Sequence, residues 1–186
     1  MELALYFETM PNNPLVRMRV RVLVLAILSF TAVFVLSSLY GCNHKKYRMP
    51  SMMEPTFRKG EVVSVDMFAY SRESPRRWDV VVFTHPQVDY QNQEWTARIV
   101  GLPGERIDIN PEGLFVNAAK ISMPFFLSKV KYAPTIQNGP KAMMSFPFVV
   151  PTGCYLVLGD NAARAFDSRY WGPLPLENII GRVETQ

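Results

Sequence analysis

From Val22 to Gly41 the chain reads VLVLAILSFTAVFVLSSLYG, a run without a single charge. At ~1.5 Å of rise per residue, a helix of that length crosses a hydrocarbon core of about 30 Å. The pattern predicts one transmembrane helix over 22–41, a signal anchor. Before it lies a short cytoplasmic tail, 1–21, broken by PNNP. A buried soluble helix and a cleaved signal peptide are the alternatives, and the apolar core of a signal peptide is usually shorter.

Past Asn43 the pattern turns to short β-branched runs between polar and glycine-rich breaks. GEVVSVDMFAY (60–70) and WDVVVFTH (78–85) flank SRESPRR, and EWTARIV (94–100) ends at GLPGE. RIDIN (106–110) alternates, and PEG then turns the chain into LFVN, a hairpin signal. CYLVLGD (154–160) and IIGRVET (179–185) read as the last strands. No soluble stretch holds a long 3.6-residue period. The fold class is therefore mostly β over 42–186, with antiparallel sheets closed or folded over to hide their edges.

Composition agrees with one ordinary domain plus an anchor. The chain has 186 residues, of which 48% are hydrophobic, which excludes a disordered chain. The net charge is +4, and cations cluster beside the apolar run, at Arg17, Arg19 and Arg21 before it and Lys45, Lys46 and Arg48 after it. Membrane flanking explains them, and a nucleic-acid partner is not expected. The first helix with its three arginines places the N-terminus in the cytoplasm. Two cysteines, Cys42 and Cys154, make neither a disulfide framework nor a metal site. Cys42 follows LYG, which looks like a poor lipidation box; Cys154 reads as a small core or surface residue. No metal or other cofactor is implied. MSFPFVVP and MPFFLSKVKYAP read either as satellites of the core under loops or as a surface that meets lipid or an apolar peptide.

Four stretches then stand in order after the anchor: SMMEPTF, WDVVVF, RIVGLPGERI and GDNAARAFDSRYWGPLP, with ENIIGRV following. Over about residues 22–186 this series resembles the type I signal peptidase family, including its mitochondrial inner-membrane relatives. The resemblance implies a compact β domain on the outer face of the membrane that cuts signal peptides from secreted precursors. It implies a serine nucleophile activated by a lysine. The lysine must be neutral and so buried, and a second serine aims its amine. The substrate is implied to lie extended, as an added strand.

The three places depart from that pattern. Met53-Glu54-Pro55-Thr56 match the end of the nucleophile motif, so the nucleophile place holds Met52 and Ser51 stands one residue early. On an extended chain that shift turns a side chain to the opposite face. The lysine place before RIVGLPGE is Ala97; Arg98 beside it stays protonated. The supporting serine's place is Ala165. Met53, Pro55, Arg98, Gly101, Pro103, Gly104, Asp160, Asn161, Asp167, Ser168 and Arg169 match the family and are expected to shape the site, with Asp167 and Arg169 a buried charge pair. His85, in FTHPQ, reads as a solvated turn histidine; pairing it with Ser51 is the other reading.

Losing one member of a catalytic unit costs up to about 10⁶ in turnover, and further losses then add little. The expected function is a membrane-anchored, catalytically impaired signal-peptidase-like protein. Its partners would be membrane lipid, the signal peptide or another extended segment of a secreted protein, and an assembly partner. The alternative is an active serine endopeptidase using Ser51 in a shifted register. A deliberate Lys-to-Ala change is a third reading, which Met at the nucleophile place opposes. The expected location is a single-pass protein of the bacterial, rather than the mitochondrial, inner membrane.

Overall fold

The computed structural model describes residues 14–41, 44–90, 93–133 and 144–184. The chain forms two compact units, Met1–Asn43 and His44–Gln186.

The first unit is helix α1, Pro14–Gly41, of 28 residues. Pro14 suits a first helical position, where a missing N–H goes unused, and no breaker follows until the helix is complete. The helix therefore starts eight residues before the predicted 22, and the end of the expected tail is helical. Val22, Leu23, Leu25, Ile27, Leu28 and Phe30 are all exposed, and at 100° per residue they point to every side. Among the described residues no helix is long and apolar enough to cross a membrane. The uncharged run to Gly41 continues into side chains outside that description. Cys42 and its lipidation likewise lie outside the described residues.

The second unit is two antiparallel sheets. The strands are β1 (His44–Arg48), β2 (Val62–Asp66), β3 (Val80–Thr84), β4 (Glu94–Gly101), β5 (Arg106–Asn110), β6 (Gly113–Val116), β7 (Ala119–Lys120), β8 (Phe148–Val149), β9 (Cys154–Leu158), β10 (Leu174–Pro175) and β11 (Ile179–Val183). Two one-turn helices, α2 (Ala69–Arg72) and α3 (Ser168–Trp171), interrupt them. The larger sheet has the order β1-β2-β11-β3-β4-β9-β10, the smaller β7-β6-β5-β8. The predicted β-rich fold is present, and RIDIN is a strand at its predicted bounds.

Strand β1, HKKYR, was not legible, because it shows no alternation and Tyr47 is its one apolar residue. It is an outermost strand, bonded among the described residues to β2 alone, and an outer strand need not be apolar on either face. By contrast β4 and β9 are buried on both faces. Ala97, Ile99 and Val157 point into a cluster with Val81, Phe83, Tyr155, Tyr170, Trp171 and Leu174. Val100, Leu156 and Leu158 point the other way, against Ile107, Ile109, Leu114 and Val116 of the smaller sheet. A third cluster joins Met49, Met53 and Phe57 to Val63, Val65, Val80, Val82 and Val183.

Gly101 closes the join between the sheets. A Cβ there would lie 2.8 Å from Ile107 Cγ1 and 2.9 Å from Leu156 Cβ, so only a hydrogen lets the sheets approach. Gly104 has φ +81° and turns the chain after Pro103. Its amide donates to the Val150 carbonyl at 2.8 Å. Cys154 is a half-buried free thiol, and burial pushes its pKa up. In the two breaker-rich segments Leu127, Val130 and Val150 are core, whereas Phe125 and Phe126 are exposed.

Candidate active site

Ser51–Met53 form a single 3-10 turn after Pro50. Asn161 pins it from across the domain: its side-chain amide donates to the Ser51 carbonyl at 3.2 Å, and its backbone amide to the Met52 carbonyl at 2.9 Å. Met53 is fully buried, and its carbonyl accepts from the Phe57 amide at 3.0 Å. Because the segment is a turn, neighbouring side chains diverge by about 120° rather than the 180° of a strand. The expectation that Ser51 points opposite to Met52 is corrected accordingly. Ser51 is half-buried, and its hydroxyl has no hydrogen-bond partner among the described residues.

The register Arg98↔Leu158 and Ile99↔Val157, continued by one step, sets Gly159 opposite Ala97. A Cβ on Gly159 would lie 2.4 Å from Ala165 Cβ and 2.8 Å from the Met52 carbonyl oxygen. The Met52 terminal methyl is also within 3.5 Å of that point. Met52, Ala97 and Ala165, far apart in sequence, therefore gather around one glycine. Ala97 and Ala165 are fully buried and Met52 half-buried. Glycine itself was not singled out from the sequence, though GDN contains it.

The surroundings are aromatic. Ala97 shares its face with Phe83, Tyr170 and Trp171, and Trp95 and Phe166 pack against that cluster. His85 lies among Tyr90, Trp95 and Trp171, each with ring centroid 4.9 Å away, with Phe166 stacked at 6.5 Å. It is fully buried, which overturns the solvated turn histidine expected from FTHPQ. The Gln87 amide donates to its Nδ1 at 3.2 Å, so the neutral ring carries its proton on Nε2. That nitrogen has no hydrogen-bond partner among the described residues. Burial in the cage pushes the imidazole pKa down. Among the described residues no hydrogen bond joins it to Ser51.

Two charge pairs brace the site. Arg98 donates to both oxygens of Asp160, from Nε at 2.8 Å and Nη2 at 2.5 Å, and from Nη1 to the Trp78 carbonyl at 2.8 Å. Asp160 also accepts from Thr56 Oγ1 at 2.5 Å and from the Tyr132 hydroxyl at 3.1 Å. Burial, and then the Asp160 carboxylate, hold the Tyr132 hydroxyl well above the usual tyrosine range. This cross-domain pair was not foreseen; RIVGLPGE and GDN each held one half. The expected pair is also present. Asp167 accepts from Arg169 Nε and Nη2, both at 2.8 Å, and from the Gly159 amide at 3.0 Å. The Ser168 hydroxyl accepts from the Val157 amide at 3.0 Å. Pro55 is exposed, three residues past the Met52 carbonyl.

An open groove of about 950 Å³ lies beyond Arg98, lined by Thr56, Phe57, Trp78, Val80 and Phe126 among others. Met52, Ala97 and Ala165 are not in its lining. Among the described residues no cluster of His, Cys, Asp and Glu is arranged to hold a metal.

Comparison with known proteins agrees with the motif order. The signal peptidase, peptidase S26, family profile matches residues 18–186. Signal peptidase I V of Bacillus subtilis is 31% identical over 167 residues, covering 86% of this chain and 89% of that protein. Thylakoidal processing peptidase 1 of Arabidopsis thaliana is 33% identical over 163 residues, 83% of this chain but 45% of that protein. A crystal structure of a signal peptidase I from Enterococcus faecalis matches with a TM-score of 0.47 and 31% identity, covering 61% of this chain and 98% of that one. The chain belongs to the signal peptidase family, peptidase S26.

Proposed function

We propose that this chain is a membrane-anchored member of the family that holds an extended apolar segment of a secreted protein without cutting it. The observation that carries the reading is the cluster at Gly159: the three gathered side chains are Met52, Ala97 and Ala165, none of which can accept a proton. Arg98, the nearest cation in sequence, spends its donors on Asp160 and the Trp78 carbonyl.

A place for the peptide is supported by two facing strand edges. Among the described residues, strand β1 has no partner on its outer side and residues 94–96 of β4 pair only with β3. Tyr47 donates to the Glu94 carbonyl at 2.9 Å and Lys45 pairs with the Glu94 carboxylate at 2.6 Å, so the side chains of β1 reach across the gap to β4. An extended segment laid there would gain backbone hydrogen bonds on both sides. The uncharged run of α1 and its apolar side chains on all faces support a single-pass anchor, with the β domain on the outer face.

The second reading, cutting by Ser51, draws on the 3-10 turn and the unpartnered hydroxyl. One experiment separates the two. The full chain in detergent is incubated with a signal-bearing precursor carrying a photo-crosslinker, beside Ser51→Ala and the triple variant Met52→Ser, Ala97→Lys, Ala165→Ser. Crosslinking without cutting by the original chain is expected, with cutting by the triple variant. Cutting by the original that disappears in Ser51→Ala would establish the second reading and remove the first.

A further inference from the structure

The edge of β4 that would receive a peptide is already occupied by the chain itself. The ladder fixes which backbone groups face that edge. The Ile99 amide donates to the Asp79 carbonyl and the Ile99 carbonyl accepts from the Trp78 amide, both at 2.8 Å. In an antiparallel pair one residue's N–H and C=O point to the same side, and successive residues alternate. The register runs unbroken from Val80↔Arg98 to Thr84↔Glu94. Trp95 and Ala97 therefore turn their backbone groups to β3, and Glu94 and Thr96 turn theirs to the free edge.

Glu94 is held twice from β1. The Tyr47 hydroxyl donates to its carbonyl at 2.9 Å, and Lys45 Nζ pairs with its carboxylate at 2.6 Å. Lys45 and Tyr47 are two positions apart on a strand, so they share one face. Tyr47 is half-buried against the cluster of Met49, Met53 and Val63. Burial pushes its pKa up, which keeps the hydroxyl a donor at neutral pH. The outward Glu94 carbonyl is an acceptor that an added strand needs, and a side chain has taken it.

We propose that Tyr47 and Lys45 latch the cleft between β1 and β4, and that an incoming extended segment must release Glu94 before it can pair with β4. The inference rests on the peptide-holding reading and adds to it a closed state. An uncovered strand edge is a template for pairing with any other chain. A cover made of one hydrogen bond and one exposed ion pair turns weak partners away. It yields to a segment that supplies several backbone bonds. The bound state lacks the latch, so the latch acts on entry and has no part in retention.

The test follows binding of a fluorescein-labelled synthetic signal peptide to the full chain in detergent, with protein-free micelles as the blank. Tyr47→Phe should tighten binding about fivefold, the worth of one ordinary hydrogen bond. The gain should lie in faster association, with dissociation unchanged. Lys45→Gln should give a smaller gain that fades in high salt. The denaturation midpoint of each variant is measured alongside, since a brace that merely holds the fold would lower the midpoint without tightening binding. Unchanged or weaker binding by Tyr47→Phe, with the parent still binding, would overturn the latch and leave peptide holding in place. So would a gain that arises only from slower dissociation. If neither the parent nor Tyr47→Phe binds, the peptide-holding reading falls and takes this inference with it.

Discussion

Arg98 and Asp160 meet through two parallel hydrogen bonds, with both side chains buried and Thr56 and Tyr132 completing the carboxylate's shell. They join β4 to the segment after β9, on either side of Ala97 and Gly159. Removing one partner leaves a buried charge alone, at a cost of about 3–5 kcal/mol, whereas removing both costs less. Arg98→Met and Asp160→Asn should each lower stability by that order in denaturant titration of the full chain in detergent. The double variant Arg98→Met, Asp160→Asn should lose less than the sum of the two. Additive losses would show that the two side chains act independently.

Gly159 is the narrowest point of the site. Gly159→Ala sets a methyl against the Ala165 methyl and the Met52 carbonyl, and the carbonyl is held by Asn161. Overpacking of this kind typically costs about 1–3 kcal/mol. Adding Ala165→Gly removes the side-chain clash and leaves the carbonyl one. The pair should therefore recover some, but not all, of the stability, measured as the denaturation midpoint.

Ala97→Lys places an ammonium among Val81, Phe83, Ile99 and Trp171, where burial disfavours the charged form. The folded pKa falls below the unfolded value, so the unfolded chain binds more protons between the two. Stability of this variant should rise with pH through that window and level off above the unfolded pKa of about 10.4. A pH-independent difference from the parent between pH 7 and 10 would mean that the amine reaches water.

His85 titrates with the same sign and in a lower range. Its imidazole is pushed down by burial in the cage of Tyr90, Trp95, Phe166 and Trp171. Its contribution is constant above the unfolded pKa of about 6.5 and is lost as pH falls from there toward the folded pKa. The slope from this group is at most about 1.4 kcal/mol per pH unit. His85→Phe should flatten the stability profile below pH 6.5 relative to the parent, and an unchanged profile would place the ring's titration elsewhere.

The sequence alone carried the elements whose signal is local. Alternation marked RIDIN, β-branched runs marked β2, β3, β4, β9 and β11, and a charge-free run marked the core of α1. Motif order carried the family. Strand β1 escaped because an outer strand need not be apolar, and the start of α1 escaped because its polar first turns interrupt the apolar run. His85 was misread for a related reason: the fragment FTHPQ contains none of Tyr90, Trp95, Phe166 and Trp171, which only folding brings around it.

The identities Met52, Ala97 and Ala165 were readable, but their meeting was not. Strand register and one absent side chain, at Gly159, bring them to a point, and register is a long-range property of paired strands. The same holds for Arg98 and Asp160, which are 62 positions apart and paired only because β4 and β9 are neighbours. A short apolar code specifies strands; which buried charges find each other depends on how those strands are laid side by side.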